Sequence, residues 1–349
     1  MKRCFIFIWA AALLLTGCGR KTEEASAQVF AMDTVMELTA YGDGAEKAVT
    51  AAEKEINELE SKLSRTREDS LVSILNRDGS IRHLAPDYWS LIAKAKEYRD
   101  ATGGAFDITI APVMDAWGFT GDSFRVPEQS ELDALLKKVN SDEIRMVASP
   151  SDSVTLGEGQ TIDLGGIAKG YTSDLVEAVF RTQGIESGKI SLGGNVFVLG
   201  TKPDGSAWRV GIKDPRNENG LAVILPLRDA YAITSGGYER YFEENGKIYH
   251  HIIDPATGCP ADSGLLSVTV VADANRSDSA EAGNGAMCDA FSTALFVMGE
   301  EQALDFWRSS DYSFDLVLVT TDGRVVVTAG LADQFEEVRD SGYVYETVS

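Results

Sequence analysis

The stretch TIDLGGIAKGY, Thr161 to Tyr171, constrains this chain more than any other segment. An acidic residue ends an apolar run, and three glycines then surround a lysine where a helix should begin. Glycine lets backbone approach a ligand closely, and the unpaired N–H groups of a helix start favour an anion such as a phosphate. The same residues also read as plain strand-to-helix punctuation. On either reading strand, tight turn and helix follow one another, which asks for a fold mixing both element types.

The rest of the chain mixes them in the same way. Residues 29–41 alternate apolar and polar side chains and predict a strand, after a polar tether over 18–28. Ala45, Ala48, Val49, Ala52, Ile56, Leu59 and Leu63 recur at helical spacing. A second helix is predicted over 86–101, with Pro86 at its start and Gly103-Gly104 as its stop. Helices over 131–139 and 167–183 alternate with extended segments at 144–148, 154–156 and 190–199. Strand and turn signals fill 208–271, a helix covers 286–298, and 314–329 reads as a hairpin turning at Asp322-Gly323. The expected class is α+β, with mixed, largely antiparallel sheets and flanking helices. One domain should span 29–349, with room for two intimately packed subdomains.

With 349 residues, 44% of them hydrophobic, the chain has ample material for a core. A formal net charge of -22 argues against nucleic acid as a partner, because phosphate backbones are gripped by clustered Lys and Arg. A phosphorylated ligand must instead be held locally, by glycine-rich backbone, a few lysines and a divalent cation. Residues 1–17 read as a signal peptide: Lys2 and Arg3, an apolar run too short to span a bilayer, then Leu15-Thr16-Gly17 before Cys18. Small residues before a cysteine resemble the lipobox of bacterial lipoproteins. On that resemblance Cys18 would be the lipidated first residue of a mature protein tethered to a membrane outside the cytoplasm; ordinary secretion with a coincidental cysteine is the alternative. Cys259 and Cys288 then remain, as two buried thiols or as a single bridge.

Two clusters carry possible chemistry. Asp289 and Thr293 lie four apart on a predicted helix and so share one face, where a carboxylate and a hydroxyl can hold one hard cation. Alternatively Asp289 is an N-cap and Thr293 an ordinary helix residue. Among the histidines, His83 is isolated, whereas His250 and His251 precede Ile253 and Asp254 in HHIIDPATG. A histidine titrating near neutrality can accept a hydroxyl proton, though a lone one is often structural. Ala105, Phe106 and Asp107 follow a double glycine, where backbone can lie flat against a planar ligand or Phe106 can simply pack in the core. The polar run NRSDSAEAGNG at 275–285 reads as a solvated loop beside the Asp289 helix, with a possible gating role.

Taken together, AMDTVMEL, ATGGAFDITIAPVMDAWGF, TIDLGGIAKGY, HHIIDPATG and CDAFSTALFVMG resemble the ApbE family of FAD:protein FMN transferases, over residues 29–330. The resemblance implies attack by a threonine hydroxyl of an acceptor flavoprotein on the FMN-side phosphorus of FAD, with release of AMP. It implies Asp289 and Thr293 as ligands of Mg2+, with a carbonyl near Gly166 as a third. Met32, Ala105, Phe106, Asp107 and Ile253 would then meet the flavin nucleotide. Asp163 and Lys169 carry over as further FAD contacts, and His251 as the base. Water in place of threonine would make the chain a metal-dependent FAD pyrophosphatase. A non-catalytic FAD-binding lipoprotein is the alternative from another class, opposed by intact Asp289, Thr293 and His251.

Overall fold

Strands β1 (Glu24–Ala31) and β2 (Thr34–Tyr41) pair antiparallel around a two-residue turn, Met32-Asp33. Both turn residues have positive φ, 50° and 58°, the geometry that matches the twist of a hairpin. The single strand expected over 29–41 is therefore a hairpin arm and a half, and no glycine betrays the turn. The tether also ends earlier than expected. Residues 24–28 belong to β1, where Ser26 bonds Thr39 and Gln28 bonds Glu37 across the pair. Their small or polar side chains give little strand signal; the register with β2 decides their state.

The structure, a computed structural model, describes residues 23–121, 123–275 and 284–349. The expected signal peptide, Cys18 and residues 276–283 of the polar insertion lie outside the described residues. After β2 come α1 (Ala45–Leu63), α2 (Leu71–Asp78), β3 (Ser80–Ile81) and α3 (Pro86–Ala101). The seven spaced apolar residues of α1 are the ones it buries. Then follow α4 (Ala111–Trp117), α5 (Gln129–Leu136), β4 (Arg145–Val147), β5 (Ser153–Thr155) and α6 (Gly165–Thr182). The extended segment expected over 190–199 is two strands, β6 (Ser187–Leu192) and β7 (Asn195–Leu199), reversed at Gly193-Gly194 with φ of 57° and 98°.

The second half supplies β8 (Trp208–Lys213), β9 (Leu221–Leu227), β10 (Ala230–Gly236), β11 (Tyr241–Glu244), β12 (Lys247–His250) and β13 (Leu265–Asp273). It closes with α7 (Gly285–Met298), α8 (Glu300–Ser309), β14 (Asp315–Thr320), β15 (Arg324–Thr328), β16 (Glu336–Glu337) and β17 (Val344–Val348). A nine-stranded sheet runs β1-β2-β6-β7-β10-β13-β14-β15-β17, antiparallel throughout except where β17 joins β15. On one face Leu38, Phe197, Ile233 and Leu316 pack against Ile56, Phe180 and Phe291 of α1, α6 and α7. On the other, Val198, Ala232 and Val317 meet Trp208 and Val223 of the small β16-β9-β8 sheet. Strands covered on both faces lose the polar–apolar alternation, as β14 does.

Helices α6 and α7 lie unusually close. A β-carbon on Gly170 would fall on the Gly285 carbonyl, and one on Gly285 would fall on the Gly170 carbonyl. Only glycine permits this crossing, so Gly170→Ala should cost about 1–3 kcal/mol, the usual penalty for overpacking, measurable by denaturant titration. An unchanged midpoint would show that the helices can part without cost.

Candidate active site

Asp163 sits just before the first turn of α6 and folds back onto it, accepting the Gly165 N–H at 2.7 Å. Its other oxygen takes Arg65 Nη1 at 3.0 Å, and Arg65 also reaches Asp115 at 2.9 Å and Thr120 at 3.0 Å. Burial alone would lower the pKa of this guanidinium, but Asp163 and Asp115 outweigh it and hold the pKa above its usual value. Asp163 is thus an oriented, ion-paired group at the helix start. Nothing in the local sequence marks Arg65, which is 98 residues away along the chain.

Where α7 crosses this helix, Asp289 is 3% exposed and accepts the Gly170 N–H through Oδ2 at 2.8 Å. In an α-helix that N–H ordinarily closes onto the carbonyl four residues back, here Gly166. Asp289 is offered to the same N–H as an acceptor from the facing helix. Asp289 is also the one charged residue of α7, a helix buried almost all round, where a carboxylate is costly unless something pairs with it. The N-cap is Asn284, so the capping alternative for Asp289 falls away.

Thr293 Oγ1 stands 3.2 Å from Ser235 Oγ, which also reaches Ser292 Oγ at 2.8 Å. A β-carbon on Gly166 would be 3.1 Å from the Phe106 ring and 3.6 Å from Thr293 Oγ1. Gly166, Thr293 and Phe106 are therefore neighbours, with Asp289 one helical turn away. Among the described residues no group of three or more His, Cys, Asp or Glu side chains is placed to hold a metal ion. A cation here would rest on one carboxylate, one hydroxyl and main-chain carbonyl, an incomplete oxygen shell that a hard cation sharing ligand phosphates accepts.

Met32, at the tip of the first hairpin, donates its N–H to Glu60 at 2.8 Å, and the Thr172 hydroxyl lies 3.8 Å from its sulfur. The hairpin tip is thereby docked on α1 and α6. Holding a methionine in the left-handed region costs about 1–3 kcal/mol, a strain that collects at functional positions. Ala105 is half-buried and Phe106 buried beyond Gly103 and Gly104, whose φ values are 60° and 89°. The Asp107 carboxylate faces inward: it accepts from Thr109 N–H at 2.8 Å and from Ser141 N–H at 3.1 Å. Main chain, rather than carboxylate, is what Asp107 has left to offer a ligand.

His250 and His251 point to different places. His250 Nε2 lies 3.0 Å from the Ala261 carbonyl, with its ring edge-on to Phe296. His251 Nδ1 lies 3.2 Å from the Arg240 carbonyl, a contact that requires Nδ1 to carry the hydrogen and leaves the Nε2 lone pair open. Desolvation, then the nearby Lys169 charge, push its pKa down to about 4. Ile253 is buried with Trp117, Phe119 and Leu132 and bridges Pro260. Asp254 closes its own loop, accepting from Ala256 N–H at 2.8 Å and from the Thr257 hydroxyl at 3.0 Å.

The Lys169 charge also acts on Glu239, which no motif singled out. Desolvation raises the Glu239 carboxyl and Lys169 and Lys213 partly offset it, while solvent reaching this side chain screens the effect. Cys259 and Cys288 are both free; Cys288 is buried, but Cys259 is only half-buried, contrary to expectation.

The ApbE family model matches residues 32–318. The FAD:protein FMN transferase of Treponema pallidum is 31% identical over 351 residues, covering 94% of each chain. That of Haemophilus influenzae is 28% identical over 95% of this chain and 97% of its own. Among solved structures, the ApbE protein of Thermotoga maritima aligns with a TM-score of 0.77 at 30% identity, over 91% of this chain and 97% of that one.

Proposed function

Because the chain belongs to the ApbE family, we propose that it is an enzyme transferring FMN from FAD to a threonine hydroxyl of an acceptor flavoprotein, with release of AMP. The observation that carries this reading is the meeting of Asp289, Thr293 and Gly166 where α7 crosses the start of α6, with Lys169 near His251. Asp289, Thr293 and a carbonyl near Gly166 would hold magnesium, with diphosphate oxygens completing its shell. When bound, that ion supplies charge neutralisation on the diphosphate and on the departing AMP.

The chain's own residues divide the remaining work. His251 Nε2 takes the threonine proton as the hydroxyl oxygen bonds to the FMN-side phosphorus and the bond from that phosphorus to the AMP phosphate breaks. Lys169 contributes positive charge near the phosphates, and Asp163, steadied by Arg65, contacts FAD. Met32, Ala105, Phe106, Asp107 and Ile253 line the flavin-nucleotide side.

Incubating the chain with FAD and magnesium, with and without an acceptor bearing a threonine motif, tests the reading. AMP release together with a fluorescent acceptor band in a denaturing gel is expected. AMP release with the acceptor unlabelled would make the chain a FAD pyrophosphatase, and neither product would make it a flavin-binding protein.

The location proposed is a bacterial cell envelope, outside the cytoplasm and anchored through lipid on Cys18. The small residues before that cysteine support it. Among the described residues no helix is long and apolar enough to cross a membrane. Cys18→Ser should release the protein to the soluble extracytoplasmic fraction or block processing. A variant processed and membrane-bound as before would end the lipid-anchor reading.

A further inference from the structure

Outside the residues already assigned, the described part of the molecule holds one buried acidic cluster with unusual partners. Asp174, two turns into α6 and 7% exposed, accepts the Gly285 N–H at 2.7 Å through one oxygen and the Ala286 N–H at 3.0 Å through the other. Those are the first two residues of α7. Beside it, Tyr231 donates its hydroxyl to Glu177, which also holds Arg181 at 2.7 Å. The two helices are therefore clasped reciprocally. Asp174 of α6 binds backbone of α7, and one turn back along α6 and one turn on along α7 Asp289 of α7 binds the Gly170 backbone of α6.

We propose that Asp174 is a positioning residue for the cation site: by holding the N-terminus of α7 against α6 it sets where Asp289 and Thr293 stand relative to the Gly166 backbone. This rests on the reading of Asp289 and Thr293 as cation ligands. Three features carry it. The first-turn N–H groups of a helix have no partner within the helix, and here a carboxylate from the facing helix supplies one, with the helix dipole in its favour. The Gly170–Gly285 contact leaves no slack through which a change at the clasp could be absorbed. Asp289 follows Gly285 by one turn on a rigid helix, so a tilt at the N-terminus carries Asp289 away from Gly166. Asp174 itself meets no substrate and no cation on this account.

The test reads metal affinity directly. Mn2+ is titrated into the full chain with FAD present, free Mn2+ is followed by electron paramagnetic resonance, and hydrogen exchange reports the Gly285 and Ala286 amides. Removing a partner that orients metal ligands typically weakens binding about 10–100-fold, and that is the loss expected for Asp174→Ala. Asp174→Asn keeps one carbonyl acceptor for α7, so it should fall between wild type and alanine, and it serves if the alanine variant does not fold. Leu295→Ala, a core truncation further along α7, should lower the melting temperature without weakening Mn2+ binding. Equal Mn2+ affinity in wild type and both Asp174 variants would overturn the proposal. So would a loss in Leu295→Ala as large as in Asp174→Ala, since Asp174 would then matter only for stability. If the wild-type chain itself binds no Mn2+, the cation reading fails first and the positioning role falls with it.

Discussion

Asp289→Ala should abolish magnesium-dependent turnover while leaving a folded protein. A lone carboxylate ligand on a helix face has no substitute nearby, and the lost neutralisation of transition-state charge, several kcal/mol, corresponds to about 10³-fold or more in rate. The fold should survive, because the Gly170 N–H lies inside α6, where the Gly166 carbonyl is its ordinary ladder partner whether or not Asp289 is present. Removing the one charge from a buried apolar helix also relieves a desolvation cost. Thr293→Val should act in the same direction but less severely, since a hydroxyl is a weaker cation ligand than a carboxylate. Initial rates across a magnesium titration, with melting temperatures alongside, decide the matter. Wild-type rates in both variants at every magnesium concentration would remove the cation from this site.

Much of the framework around the candidate site was legible because its parts are local. The apolar stripe of α1, the proline opening α3 and the glycine-rich start of α6 are short-range signals, and each element lies where its signal put it. Asp289 and Thr293 stood out for a similar reason: their spacing of four puts a carboxylate and a hydroxyl on one helix face, and the family resemblance chose between ligand and cap. The unread parts are those whose meaning depends on a distant partner. Arg65 looks like one charge in a polar run, and only the fold brings it to Asp163. Asp174 looks like an ordinary helix residue until α7 arrives 111 residues later. The Met32-Asp33 turn escaped notice because neither residue is a glycine; its geometry is imposed by the pairing of β1 with β2 and by the Glu60 contact. Asp107 shows the converse, a motif residue whose side chain turns out to be spent on Thr109 and Ser141.

His251→Asn should slow FMN transfer by about 10²–10⁴-fold, the usual contribution of a general base, with FAD affinity close to wild type. His250→Asn should do little to transfer, because its ring is engaged with Ala261 and Phe296 instead. The pH dependence sharpens the test. With its pKa pushed down to about 4, His251 stays neutral and able to accept a proton throughout the range where a free histidine would titrate. Wild-type transfer should therefore hold steady as pH falls through 6.5 and fail only toward 4, a limb that the asparagine variant lacks. Stability carries the same signature. Between about 4 and 6.5 the unfolded chain binds a proton at this histidine that the folded chain refuses, so its contribution to stability declines as pH drops through that window and is complete above it. His251→Asn should flatten that part of the stability curve. Single-turnover transfer beside flavin-fluorescence binding, at several pH values, separates the two roles left to this residue. Loss of binding and transfer in parallel would make His251 a substrate-holding group and move the search for a base to Glu239, the carboxylate that shares Lys169 with it.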